Sequence, residues 1–228
     1  MIALKRIDKI YNDGNPNEFH ALRSVSLEIP GDRVTVFKGP SGSGKTTLLS
    51  IIGCMVRPTA GRIFIDGRET TSLPEKFLAG IRRSTFGFVF QNFNLIKGIT
   101  VLENTMLPAY PTGKKHRQVR SDAVVLLERL GIGGKAGQKV EHLSGGEQQR
   151  TAIARALINH PSIIIADEPT AHLDRALSVD FLDIIAELSS EGKPILMASH
   201  DPLVFNAGIV ENVVEMQDGG VMGEEASS

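Results

Sequence analysis

The 228-residue sequence has no tryptophan, one cysteine (Cys54) and only 5% aromatic residues. One cysteine cannot form an internal disulfide bond, so the composition fits a reducing compartment. No run approaches the ~18 consecutive apolar residues that a membrane-spanning helix needs. Residues 1–6 lack the apolar core of a signal peptide. These absences predict a cytosolic protein, or one that is peripheral to a membrane through a partner.

The sequence also lacks an excess of charge of either sign. Its 25 Lys and Arg residues nearly balance its 26 Asp and Glu residues, and the formal net charge is −1. Near-neutral charge gives no electrostatic reason to expect a nucleic-acid partner. The length is sufficient for one large domain, or for a core with a small subdomain.

A glycine-rich loop is the most informative stretch of the chain. It follows an apolar run, Val34–Phe37, and leads into a helical pattern that includes Leu48, Ile52 and Met55. The spacing G-x-x-x-x-G-K-[ST] between strand and helix predicts a nucleotide-triphosphate site rather than an ordinary glycine turn. Backbone N–H groups and the helix N-terminus would hold phosphates. The loop residues are Gly39, Pro40, Ser41, Gly42, Ser43, Gly44, Lys45, Thr46 and Thr47.

Strand and helix patterns alternate along much of the chain. Strands are expected at Ile2–Tyr11, Ser24–Ile29 and Arg62–Ile65, and the apolar run Ile163–Ala166 is typical of a central parallel strand. This alternation predicts an α/β fold whose mostly parallel sheet is covered on both faces.

A helical insertion is expected at about 92–143. Helices are predicted over Val101–Leu107 and Lys114–Leu130, and the second has an apolar face that includes Val119, Ala123 and Leu127. The remaining chain, 1–91 and 144–222, would form the core with its β strands, and residues 223–228 are expected to fray.

Two adjacent carboxylates follow the apolar run, Asp167 and Glu168. At the end of a central strand, Asp167 could hold Mg²⁺ opposite Thr46, and Glu168 could deprotonate an attacking water. Alone, the two acids would instead be interpreted as a helix N-cap and a solvated loop residue. The phosphate loop favours the functional interpretation.

A second candidate anion site occurs at Leu143-Ser144-Gly145-Gly146-Glu147. A serine and two glycines at a helix start can bind an anion. The same residues also predict a capping box, with Ser144 as N-cap and Glu147 three residues later. Both interpretations can hold together, and two such loops suggest a nucleotide held between two chains.

The segment LSGGEQQR, residues 143–150, resembles the signature motif of ATP-binding-cassette (ABC) ATPases, and the other motifs of that family occur in order. The matches are Tyr11 (adenine-stacking aromatic), Gly39–Thr46 (Walker A), Gln91 (Q-loop), Ser144, Gly145, Gly146 and Glu147 (signature), Ile163–Asp167 with Glu168 (Walker B and catalytic glutamate), Asp174 (D-loop) and His200 (switch histidine). The resemblance implies a RecA-like P-loop NTPase core with an antiparallel β subdomain and a helical signature subdomain.

The resemblance also implies ATP and Mg²⁺ as ligands and a head-to-tail homodimer on ATP binding. Each ATP would lie between Walker A of one chain and the signature of the other. Thr46, Gln91 and Asp167 would hold Mg²⁺, Lys45 and the loop would hold the phosphates, and Glu168 and His200 would act in hydrolysis.

Residues 81–104 are similar to the bacterial lipoprotein-release and macrolide-exporter cassettes. That similarity implies a membrane-spanning permease as partner and a place on the inner face of the cytoplasmic membrane. A non-transport module of the cell-division type is the alternative, and a P-loop kinase or GTPase would lack LSGGEQQR. Lys38 and His172 depart from the family pattern.

Overall fold

The computed structural model describes residues 1–222, which contain two β-sheets. The strands are β1 (Ile2–Tyr11), β2 (Phe19–Ile29), β3 (Val34–Lys38), β4 (Ala60–Ile65), β5 (Arg68–Glu69), β6 (Phe86–Val89), β7 (Ile163–Asp167), β8 (Ile195–Ser199), β9 (Asn212–Gln217) and β10 (Gly220–Val221). The helices are α1 (Lys45–Ile52), α2 (Glu75–Thr85), α3 (Val101–Met106), α4 (His116–Arg129), α5 (Gly145–Leu157), α6 (Arg175–Ser190) and α7 (Pro202–Phe205). The expected frayed tail, 223–228, lies outside the described residues.

The larger sheet has the order β10-β9-β3-β8-β7-β6, and its strands from β9 to β6 are parallel. Strands β3, β7 and β8 are buried along nearly their whole length, as their continuous apolar runs predict. Because parallel strands run in one direction, their carboxyl ends meet at one edge of the sheet, where ligands of such folds bind.

The smaller sheet is antiparallel, in the order β2-β1-β4-β5. Its apolar face packs in the same core cluster as α1 and the larger sheet; Ile7, Leu22 and Ile29 are buried there beside Leu48 and Ile52. The smaller sheet therefore supports the helix that carries the phosphate loop.

A second core covers the opposite face of the larger sheet. It joins α5, α6 and the end of α4, with Leu127, Ile153 and Phe181 buried between them. The predicted helices at 101–107 and 114–130 are confirmed as α3 and α4, to within two residues at each end. Within residues 1–222, no helix has the length and apolarity that a bilayer span requires.

The structure differs from the sequence interpretation at the end of α1 and in several elements that the sequence did not predict. The helix after the phosphate loop does not reach Met55, because α1 ends at Ile52 and Gly53 caps it. Cys54 therefore lies in a left-handed turn, with φ 58°, and Met55 is 40% exposed. Helix α2 was not predicted from the sequence.

Candidate nucleotide site

Four neighbouring parallel strands deliver polar side chains to one edge of the larger sheet. Lys45 follows the loop after β3, His200 follows β8, Asp167 ends β7, and Gln91 comes just after β6. These strands are neighbours in the order β3-β8-β7-β6, although they are far apart in sequence. The sheet order therefore brings these residues to one edge.

Glycines allow the loop to close tightly around an anion. Gly42 and Gly44 have φ of 82° and 99°, a left-handed conformation that other residues rarely adopt. A Cβ atom on Gly44 would also lie 2.6 Å from the carbonyl oxygen of Ala21. The loop thus needs glycine at position 44 for both conformation and space.

Ser43 and Lys45 provide a test of whether a phosphate chain fits this loop. Ser43 is 2% exposed, and its Oγ has no hydrogen-bond partner within residues 1–222. The Lys45 ammonium is nearly buried and donates to the carbonyl oxygens of Gly39, at 2.8 Å, and Pro40, at 2.9 Å. A buried hydroxyl without a partner and a buried cation at a helix N-terminus fit a phosphate group well.

Thr46 and Asp167 offer oxygen ligands for a hard cation. The Thr46 hydroxyl donates to Asp167 Oδ1 at 2.9 Å. Burial raises the pKa of the Asp167 carboxyl, while the hydrogen bond from Thr46 and the charge of Lys45 act in the opposite direction. Carboxylate and hydroxyl oxygens are the ligands that Mg²⁺ prefers, so this pair fits Mg²⁺ beside the phosphate loop.

Glu168 lies with its carboxylate between Lys45 and His200. Its Oε1 is 3.6 Å from Lys45 Nζ, and its Oε2 is 2.9 Å from His200 Nδ1. Its backbone has φ 44°, an uncommon conformation for a residue other than glycine, and its N–H donates to the carbonyl of Ala198. This left-handed turn follows β7 directly, and the carboxylate lines the cleft, where it could accept a proton from water.

The cleft has a volume of about 220 Å³ and contains most of the predicted phosphate-site residues. It is lined by residues 41–47, Gln91, Glu168 and His200, and also by Phe19 and Ala21. Sequence reasoning missed Phe19, an aromatic ring that is 54% exposed. The sequence did contain a signal for Phe19, because this aromatic residue lies just after the turn-rich segment 12–17 that follows Tyr11.

Tyr11, predicted to stack on adenine, is not among the described residues that line the cleft. It ends β1, paired with Phe19 in register, and the ammonium of Lys9 lies 4.9 Å from the centre of its ring. The assignment of Tyr11 to adenine remains a prediction, and Phe19 is a second aromatic candidate on the adjacent strand.

The signature residues lie in a different place. Ser144 caps α5, and the predicted capping box is confirmed: Glu147 N–H donates to Ser144 Oγ at 3.4 Å, and Ser144 N–H donates to Glu147 Oε2 at 2.8 Å. Ser144, Gly146 and Glu147 line a separate cavity of about 420 Å³, together with Lys135 and Arg150. This cavity shares no lining residue with the cleft of the phosphate loop.

Asp174 also lies outside the cleft. It caps α6, and its Oδ1 accepts the N–H of Leu177 at 2.9 Å. Within one chain, the structure therefore brings together the phosphate loop, Gln91, Asp167, Glu168 and His200, and leaves Tyr11, the signature residues and Asp174 apart from them.

The two departures from the family pattern have visible partners. Lys38, at the end of the buried strand β3, pairs with Glu215 on β9 at 2.9 Å and lies 5.9 Å from the ring centre of Phe205. His172 Nε2 is 2.9 Å from Asn92 Oδ1, which links the turn after β7 to the segment that follows Gln91.

The family model and two curated relatives agree on the family to which this chain is similar. The family model described as ABC transporter matches residues 22–171. The macrolide export ATP-binding/permease protein MacB of Hyphomonas neptunium is 40% identical over 227 residues, which cover 100% of this chain and 35% of that protein. The pyoverdine export ATP-binding/permease protein PvdT of Pseudomonas fluorescens is 38% identical over 228 residues, 34% of its length. The chain thus spans about a third of the length of these relatives.

Solved structures match over nearly the full length. A dimeric structure of the ATP-binding cassette MJ0796 in a post-hydrolysis state, bound to ADP and Pi, has a TM-score of 0.88 and 40% identity, covering 99% of this chain and 98% of that chain. A second dimeric structure of MJ0796, described as a bacterial ABC transporter cassette, has a TM-score of 0.87 and 41% identity. These neighbours confirm the predicted fold class, a P-loop NTPase core with a mostly parallel sheet.

Proposed function

This chain belongs to the ABC transporter family, and from that premise we propose that it is the ATP-hydrolysing subunit of a membrane transporter of the export or lipoprotein-release type. One observation carries the proposal. Residues 41–47 of the first anion-binding loop line one cavity, and Ser144, Gly146 and Glu147 of the second line another, with no residue in common. A head-to-tail homodimer would let one nucleotide contact both loops, one from each chain.

Nucleotide binding is assigned to the residues at the sheet edge. The loop N–H groups, Ser43 Oγ and Lys45 hold the phosphates of ATP, and an aromatic ring of β1 or β2, Tyr11 or Phe19, stacks on adenine. Thr46, Asp167 and Gln91 would hold Mg²⁺, which would neutralise charge on the phosphates. Lys45 would then exchange the carbonyl oxygens of Gly39 and Pro40 for phosphate oxygens, and Asp167 would exchange the Thr46 hydroxyl for the metal ion.

Hydrolysis is assigned to Glu168 and His200. Glu168 accepts a proton from a water whose oxygen attacks the γ phosphorus, while the bond to the β-phosphate oxygen breaks and ADP leaves. His200, whose Nδ1 is 2.9 Å from Glu168 Oε2, would orient this carboxylate and stabilise charge on the γ-phosphoryl group. Ser144, Gly145, Gly146 and Glu147 of the other chain complete the site, and Asp174 lies at the interface.

A permease is proposed as the membrane partner, because the export relatives are ATP-binding/permease proteins of which this chain covers about a third. An apolar groove of about 390 Å³, lined in part by β6 and by Phe90, supports this proposal. Its walls include Phe88, Phe90, Pro111 and Arg83. The subunit would work at the inner face of the cytoplasmic membrane, with a core of 1–91 and 144–222 and a helical subdomain of about 92–143. No nucleic-acid partner is expected.

Substitution Glu168→Gln tests the proposal most directly. The amide keeps the shape and the hydrogen-bonding oxygen but cannot take a proton, so ATP should still bind while hydrolysis falls by at least about 100-fold. A stable ATP-bound dimer should then accumulate, measurable by phosphate release and by sedimentation with and without ATP. Turnover at the wild-type rate in this variant would remove Glu168 from the proposed role.

A further inference from the structure

The Glu147 carboxylate would repel a phosphate at the signature residues, which form the second half of the proposed site. Its Oε2 accepts both the N–H of Ser144, at 2.8 Å, and the Ser144 hydroxyl, at 3.0 Å. The Ser144 hydroxyl is the side-chain donor at the start of α5 that a phosphate oxygen would use beside the backbone N–H groups of the two glycines. A carboxylate occupies this hydroxyl in this structure and carries the same sign of charge as the incoming triphosphate.

Lys135 supplies the compensating charge. Its Nζ is 3.2 Å from the other oxygen of Glu147, Oε1, and the two side chains are 45% and 27% exposed. Lys135 lies in the short 3-10 turn Gly133–Lys135 and lines the same cavity.

Arg150, the other cation that lines this cavity, is engaged elsewhere. Its guanidinium donates to the carbonyl of Leu130, at 3.1 Å, and to Asp180, at 3.2 Å. Lys135 is therefore the cation that pairs with Glu147 within residues 1–222.

We propose that Lys135 is a positioning residue of the second half-site: it holds and neutralises the Glu147 carboxylate, so that the start of α5 can accept a phosphate of a nucleotide bound by the other chain. This inference rests on the proposed dimer. When a nucleotide arrives, Lys135 keeps Glu147 on its own side of the cavity and the Ser144 hydroxyl changes its acceptor from carboxylate to phosphate. Without Lys135, the carboxylate competes for the hydroxyl and repels the ligand.

The test uses the full chain with Glu168→Gln, in which hydrolysis does not deplete the dimer. Sedimentation velocity would measure the ATP concentration at which half of the chains are dimeric. Where water screens the charges, as at this partly exposed pair, one uncompensated charge a few ångströms away changes an equilibrium constant by about fivefold. We expect Lys135→Ala to raise the half-dimerisation concentration of ATP by about fivefold, and this increase should shrink at high salt, because salt screens charge.

Three further variants separate charge from structure. Glu147→Gln should restore dimerisation in the Lys135→Ala chain, because the amide neither repels phosphate nor needs a counter-charge. Lys135→Arg should behave like the parent. Lys139→Ala is the matched control: Lys139 is an exposed cation in the same loop that acts on Glu141 rather than Glu147, and it should have no effect.

Binding of a fluorescent ATP analogue to the monomer, which uses only the phosphate loop, should be unchanged by Lys135→Ala. Equal half-dimerisation concentrations for the parent and Lys135→Ala chains would overturn the inference, as would failure of Glu147→Gln to rescue. A parent chain that never dimerises with ATP would instead contradict the proposed function itself, so the two failures are distinguishable.

Discussion

The carboxyl group of Asp167 is subject to opposing influences. Burial raises its pKa, whereas the hydroxyl of Thr46 and the charge of Lys45 favour the ionised form. Because the folded chain holds this proton more tightly than the unfolded chain, stability falls as pH rises through the raised folded-state pKa. Binding Mg²⁺ requires the ionised form, so metal affinity falls as pH is lowered through the same range.

Asp167→Asn should separate stability from ligand binding. An amide keeps an oxygen for the Thr46 hydroxyl but removes a partly buried charge, so the nucleotide-free variant should be more stable than the wild type at pH 8. A gain of about 1 kcal/mol would raise Tm by about 2–4 °C in a chain of this size. At pH 4 the difference in Tm between the variant and the wild type should be smaller. The increase in Tm that Mg²⁺ and ATP give the wild type should also be largely lost at this pH. Differential scanning calorimetry across this pH range measures both; a variant less stable than wild type at pH 8 would contradict the argument.

Single residues of the site were predictable where a motif fixes their chemistry. The loop 39–47 and the pair Asp167–Glu168 follow from spacing and from a buried strand. In the structure, residues 41–47 and Glu168 line one cleft, and Asp167 is hydrogen-bonded to Thr46. Phe19 was not predictable in the same way, because its place in the cleft depends on the register of β2 against β1. Nor could sequence alone show that Lys135 pairs with Glu147, because that contact depends on how a glycine-rich turn folds against α5.

At the level of the element, helices α3 and α5 both begin with a capping box. Thr100 caps α3 as Ser144 caps α5, each with a glutamate three residues later that returns a hydrogen bond. The Glu103 side chain accepts the Thr100 N–H at 2.7 Å, and this bond lowers the pKa of Glu103. Its contribution is therefore present above the ordinary carboxyl pKa and is lost as pH falls through the lowered folded-state pKa.

Thr100→Ala should destabilise the chain by about 1 kcal/mol, the usual cost of removing a capping hydroxyl. Helix α3 is only six residues long, and it depends on this cap and on packing against α4 and α5. Thr100→Ser keeps the hydroxyl and serves as the control, and urea unfolding at pH 7 measures both. Equal midpoints for Thr100→Ala and the wild type would show that the cap contributes nothing measurable.

Elements were predicted well where apolar periodicity is strong and less well where tertiary packing decides. Helix α4 is within two residues of its prediction, because Val119, Ala123 and Leu127 form one buried face. Helix α2 has a short apolar side, where Leu78 is buried and Ile81 packs against the core, but charged residues flank it and the segment follows a strand pattern, so it was overlooked. The predicted end of α1 was wrong, because Gly53 ends the helix before Met55. Met55 is apolar but is 40% exposed.

At the level of the whole molecule, alternating strands and helices predict a parallel sheet but not its order. In sequence the strands of the site come as β3, β6, β7 and β8, whereas in space they are ordered β3, β8, β7 and β6. This order places β8 between the strands of the phosphate loop and of Asp167. His200 consequently lies beside Glu168, a neighbour 32 residues away in sequence.

The separation of the two cavities within one chain has a genetic consequence. Consider one chain with Lys45→Ala, which damages its phosphate loop, and another with Ser144→Arg, which blocks its signature. Neither homodimer would contain an intact composite site. In the mixed dimer, both defects fall in one site, and the other combines two undamaged halves.

Mixing the two purified variants should therefore restore ATP hydrolysis that neither has alone, at up to about half of the wild-type rate per mixed dimer if the sites act independently. Phosphate release as a function of mixing ratio would peak at equal amounts. Two inactive variants would thus restore activity to each other in the mixed dimer. As the control, a chain that carries both substitutions should restore activity to neither single variant. An inactive mixture at every ratio would indicate that the sites do not act independently, or that they are not shared between chains.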